Sequence, residues 1–101
     1  MTNPQPRPAW TLLTNHGHVL LAVAGAPDAR VADIADEVGI SARGALAILH
    51  DLEDGGYVGR TKVGRRTHYT VNTAMPFRHP ATAGHRVGEL LTLLAARTDG
   101  P

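Results

Sequence analysis

The chain of 101 residues contains no cysteine. Disulfide staples, thiol redox switches and thiolate metal sites are therefore excluded, which leaves oxygen and imidazole as the side-chain ligands. Nor is there an apolar run of bilayer length, and the opening MTNPQPRPAW lacks the charged-then-apolar order of a secretory leader. A cytoplasmic protein without a membrane partner is expected. No Ser/His/Asp order, no paired carboxylates suited to acid and base work, and no Gly-rich phosphate loop occur, and Gly55-Gly56 reads as a helix end. The expectation is a protein that is not an enzyme and needs no cofactor.

Acidic residues are missing from one long stretch. Between Gly55 and Gly88 there are six bases (Arg60, Lys62, Arg65, Arg66, Arg78 and Arg86) and no acid, whereas Asp28 to Asp54 holds seven acids against Arg30 and Arg43. The net charge of +1 conceals this division. One face suited to a polyanion is implied; the plainer alternative is a solvated hairpin that happens to be basic.

The stretch Val31 to Val71 has the clearest pattern. Ile34, Val38, Ile40, Ala45, Ile48, Leu49 and Leu52 fall at helical spacing on either side of Gly39, which predicts two short helices, about 31–38 and 41–54, joined by a tight turn. Ala35 is small enough for close helix crossing, Gly39 suits a turn with positive φ, and Ser41 is the natural cap of the second helix. After Gly55-Gly56 the period changes to two. Strands are expected over 57–63 and 66–71, joined by Gly64-Arg65 as a type II′ turn. Tyr69 and Val71 should return to the core, Arg60 and Lys62 should alternate to an outer side, and Arg65 and Arg66 should sit at the tip.

At Ile34-Ala35, Gly39-Ile40-Ser41, the run Leu52-Glu53 to Gly56-Tyr57-Val58, and Gly64-Arg65-Arg66 ahead of Tyr69, the sequence resembles winged helix-turn-helix regulators of the MarR/ArsR type. The resemblance covers Asn15 to Val71. It implies a mainly α fold with a small β-hairpin, a winged helix-turn-helix with a C-terminal dimerisation helix. It also implies a sequence-selective regulator of transcription that binds double-stranded DNA as a homodimer. Helix 41–54 would lie in the major groove and wing 60–68 on the backbone or in the minor groove. The DNA-facing residues would be Ser41, Ala42, Arg43, Leu46, Ala47 and His50 on the helix, with Arg60, Lys62, Arg65 and Arg66 on the wing. Only Arg43 and His50 of the helix set can hydrogen-bond to bases; Ala42, Leu46 and Ala47 could meet thymine methyls. Leu46 could instead cover a protein contact, and the alternative function is a winged-helix protein-interaction module without specific DNA binding.

The rest of the chain frames this domain, which is expected over 10–72. Residues 1–9 read as a flexible arm in which Arg7 could reach a phosphate. Trp10, Leu12 and Leu13 are too apolar for a free tail and should pack on the domain or on a partner chain. Thr14 or Asn15 caps a first helix to about Gly25, with Val19, Leu20 and Val23 inward. The acids Asp33, Asp36 and Glu37 on the next helix would repel phosphate and should face away from it. A linker over 73–81 has Phe77 as its anchor. The last helix, within 82–98 and starting at about Thr82 or Gly84, carries Val87, Leu90, Leu91 and Leu94 at i, i+3, i+4 and i+7, the pattern of a dimer seam. Folding back on its own domain is the alternative. His16 and His18 diverge on a helix, and His85 with Glu89 makes too small a donor set, so no metal site is expected. No residue identifies a small-molecule effector.

Overall fold

The computed structural model describes residues 8–98, so most of the expected arm, with Arg7, lies outside the described residues. Pro8 and Ala9 are exposed. In chain order the elements are α1 (Asn15–Gly25), α2 (Val31–Val38), α3 (Ala42–Asp54), β1 (Val58–Val63), β2 (Arg66–Val71), a short 3-10 turn (Pro80–Thr82) and α4 (Val87–Thr98).

Local chemistry sets most of these boundaries. The Thr14 side chain accepts from Gly17 N at 3.2 Å and that of Ser41 from Gly44 N at 3.0 Å, each satisfying a first-turn donor left over by the helix. Gly39 ends α2 at φ 86°, where a side chain would be strained, and its N–H donates to Ala35 O at 2.7 Å. At the end of α3, Tyr57 N donates to Leu52 O and Gly56 N to Glu53 O, the hydrogen-bond pair of a Schellman motif. Tyr57 and Leu52 are both buried, the apolar contact that accompanies it.

The core is a three-helix wedge closed by the base of the hairpin. Val19, Leu20 and Val23 of α1 meet Ile34 of α2 and Ile48, Leu49 and Leu52 of α3, with Tyr57, Val58 and Tyr69 beneath. Ala35 is buried where α2 crosses its neighbour, as the pattern predicts. Tyr69 N also donates to Pro27 O at 2.9 Å, fastening β2 to the loop between α1 and α2.

The C-terminal third departs from the sequence expectation. Instead of a loose linker and a helix from Thr82 or Gly84, the chain doubles back: Pro76 bridges Arg86, Phe77 N donates to His85 O and Val87 N to Met75 O. Backbone groups committed to that antiparallel pairing cannot join a helix, so α4 begins only at Val87. Glu89 caps it, accepting from Arg86 N at 2.8 Å and from His85 Nδ1 at 2.9 Å, and these bonds hold its carboxyl below the usual carboxylate range. Phe77 packs against the core, in keeping with an anchor, and Met75 does likewise.

The turn of chain at Thr73 touches α4 closely. Gly88 N donates to Thr73 O at 3.0 Å, and a Cβ on Gly88 would stand 2.9 Å from both Thr73 Cβ and Thr73 O. Gly88→Ala should therefore push α4 away from the domain, at a cost of about 1 to 3 kcal/mol for overpacking against backbone that cannot yield. Thermal melting of the variant checks this; an unshifted midpoint would mean that α4 is not held at Thr73.

Candidate nucleic-acid interface

Helix α3 turns Ala45, Ile48, Leu49 and Leu52 to the core, and its 3.6-residue period then leaves Ala42, Arg43, Leu46, Ala47 and His50 outside. Ser41 is exposed at the head of this face. Leu46 is 39% exposed and the helix shows no other large apolar side chain to solvent. Arg43 and His50 form no hydrogen bond or ion pair among the described residues. Asp51, next to His50, receives His16 Nε2 of α1 at 2.8 Å, a link between scaffold and candidate reading helix that spacing alone does not reveal.

Acids on α2 are exposed, with Asp33 accepting from Arg30 N at 3.4 Å to close the start of that helix. Asp36 and Glu37 lie toward its other end, and Glu37 borders a groove formed by α1 and α4.

The wing is an antiparallel hairpin with Val58 opposite Val71 and Val63 opposite Arg66. Gly64 has φ 63°, and no non-glycine residue among the described residues has positive φ. Positive φ at the first central residue alone is the expected type II′ pattern, not type I′. Arg65 projects from this tip without a hydrogen bond or ion pair among the described residues. Arg66 is tied back, since its Nη2 donates to Asp28 O at 2.7 Å, and His68 Nδ1 contacts Asp28 Oδ1 at 2.7 Å. Two side chains of the wing thus grip the loop ahead of α2.

Arg60 and Lys62 require a correction. Directly opposed residues share a face of the sheet, and Arg60 lies opposite Tyr69 while Lys62 lies opposite Thr67. Both therefore belong to the Tyr69 face, not to an outer side opposed to it. Their orientation follows from Val58, the first strand residue, which is buried; counting from Tyr57 inverts the alternation. Arg60 Nε pairs with Glu53 Oε2 of α3 at 2.9 Å, bracing the wing against the helix. Buried Tyr69, beside this pair, has its hydroxyl pKa raised by loss of water, partly offset by the Arg60 charge. Sequence reasoning also passed over Arg30. It lies in the acid-rich half of the sequence, yet lines a cleft of about 390 Å³ with Arg65 and Arg66.

The expected dimer residues do not share one environment. Val87 is only 3% exposed and belongs to the chain's own core, because the bond from Val87 N to Met75 O draws the head of α4 inward. Leu91 and Leu94 line an open groove of about 490 Å³ opposite Leu21 and Ala24 of α1. Leu90 is half-buried, and Leu93, off the predicted stripe, is 64% exposed. Trp10 and Leu12 are largely exposed among the described residues, at 75% and 92%, while Leu13 is half-buried near Gly17. His85 and Glu89 share a face and pair with each other; no group of three His, Asp or Glu suited to a metal occurs among the described residues. No helix among them is long and apolar enough to cross a membrane.

No family model and no curated protein matches the chain. Among solved structures it is similar to Streptococcus pneumoniae FabT in complex with DNA, with a TM-score of 0.55 and 20% sequence identity over 83% of this chain and 52% of that one. The chain is a winged helix. A further similar structure is Lactococcus lactis ZitR, a zinc-responsive MarR family member, with a TM-score of 0.49, 17% identity, and coverage of 68% and 49%. The fold assignment rests on the first. This winged helix spans about half the length of the solved chains it matches. Its three core helices and its hairpin are the parts that the sequence resemblance implies.

Proposed function

We propose that this winged helix is a DNA-binding transcriptional regulator without enzymatic activity, sequence-selective and acting as a homodimer. The observation that carries the reading is the exposed face of α3, which offers Arg43 and His50 beside a wing from an acid-free stretch, while the acids of α2 lie on another helix. Its support is the shared fold with FabT, a protein solved in complex with DNA. In this reading the N-terminal turns of α3 enter the major groove, Arg43 and His50 meet base edges, and Ala42, Leu46 and Ala47 lie against thymine methyls. Arg65 at the wing tip meets the backbone or the minor groove, with Lys62 beside it, and Arg60 holds the wing through Glu53. Two copies related by a two-fold axis would read half-sites about one helical turn apart.

A salt-titrated mobility shift against genomic fragments that include the protein's own promoter tests the reading. A discrete complex that weakens steeply with salt is expected. The second reading, a protein-docking module, draws on the exposure of Leu46; it predicts no DNA complex and a partner contact that salt does not weaken. Arg43→Ala separates base readout from phosphate contact. Its loss should cost about 1 to 3 kcal/mol on the best site and much less on random DNA, measured by fluorescence anisotropy. Equal losses on both would make Arg43 a phosphate contact only.

A further inference from the structure

Arg30 lines one cleft with Arg65 and Arg66, a neighbouring pair far from it in sequence. Arg30 precedes α2, Arg65 forms half of the wing turn and Arg66 opens β2; with Ala29, Val31, Thr67 and Tyr69 they enclose about 390 Å³ between the wing and the head of α2. All three arginines are exposed, so their charges add in one concave, solvent-open site, and a cleft lined by one sign of charge attracts an anion. Nothing acidic lines the cleft. The nearest acids are already engaged: Asp33 accepts from Arg30 N, and the Asp28 carboxylate meets His68 while its carbonyl takes Arg66 Nη2. That last bond leaves the guanidinium charge uncompensated and fixes where it points. Arg30 adds a second effect, since a cationic N-cap side chain cannot accept from the first-turn N–H groups of α2 as Thr14 and Ser41 do for α1 and α3.

We propose that this cleft seats a phosphate group of the DNA backbone, with Arg30 as a contact from the helical body and Arg65 and Arg66 as contacts from the wing. The proposal rests on the DNA-binding reading. Its consequence is that the wing and α2 grip the same stretch of backbone, so the angle of the wing to α3 is fixed on DNA by a shared ion. The same chemistry would suit a free phosphate or a small phosphorylated molecule, and the test separates these sources.

Arg30→Ala, with circular dichroism to verify folding, is compared with the parent protein and with Arg30→Lys by anisotropy over a salt series. The expected result is a several-fold loss on specific and random DNA alike and a salt slope smaller by about one, with the slope restored in Arg30→Lys because the charge is restored. An unchanged slope in Arg30→Ala, while Arg65→Ala lowers it, would overturn the cleft and leave DNA binding standing. If the parent protein binds no DNA at all, the DNA reading itself fails, and inorganic phosphate followed by amide shifts of Arg30, Val31 and Thr67 decides the remainder. Saturable shifts would replace the backbone phosphate with a free anion; their absence would remove the anion site altogether.

Discussion

Replacing Arg65 and Arg66 together with Ala should lower affinity at least about tenfold on every DNA sequence, because each arginine lost removes a charge-assisted contact to phosphate. The slope of log affinity against log salt should fall by about two, one released counterion fewer per charge. The loss should be uniform across sequences, which distinguishes the wing from Arg43. The two arginines are not equivalent, however. Arg65 has no intramolecular bond among the described residues, so Arg65→Ala reports on DNA alone; Arg66 also holds Asp28 O, so its removal loosens the wing from the loop ahead of α2. The single Arg66→Ala should therefore already carry the loosening, so the double variant should lose no more than the sum of the singles, and hydrogen exchange at Thr67 and His68 should quicken only where Arg66 is missing. Unchanged affinity in the double variant would take the wing out of the mechanism.

An equally large effect is expected from charging the exposed side of α4. Leu90→Glu with Leu93→Glu places carboxylates at a half-buried and an exposed leucine and leaves untouched Val87, which is core, and Leu91 and Leu94, which face α1. If a second copy covers this side, unpaired charges in an apolar contact should yield a monomer with an unchanged circular dichroism spectrum. DNA affinity should then drop by about 10² to 10⁴, since two tethered reading helices gain effective concentration that a single helix lacks. Sedimentation decides the assembly state. A folded variant that still dimerises would shift the seam to Trp10, Leu12 and Leu13, and Leu12→Glu, at a residue 92% exposed among the described residues, would then give the monomer. An unfolded double variant would assign this side of α4 to the domain's own core. Leu93→Glu alone guards against that outcome, because a residue 64% exposed can take a charge without penalty to the fold.

Ser41 as a cap, Thr14 as one of two candidate caps with Asn15, Gly39 as the turn between α2 and α3, Gly64-Arg65 as the hairpin tip and the inward faces of α1 and α3 were all legible in the sequence alone. Each depends on hydrogen bonds or side-chain periods that close within a few residues, so local composition determines them. The exposed set on α3 belongs here too, because once the inward residues are known the helical period leaves no choice. What only the tertiary structure decided are contacts between residues far apart in the chain. The pairs His16–Asp51, Arg66–Asp28 and His68–Asp28 are separated by 35, 38 and 40 residues and exist because the wing and α1 dock against neighbouring elements. The facing of Arg60 and Lys62 hinged on which residue opens β1, and that was set by the burial of Val58 after the turn that ends α3. Val87 left the predicted seam because the segment before it pairs with Met75 and Pro76, a return that no periodic signal marks. Arg30 carried no signal at all, since the charged residues nearest to it in sequence, Asp28 and Asp33, are acids, whereas the wing arginines line the same cleft in space. Sequence spacing fixes which side of an element a residue occupies, and only docking fixes what that side meets.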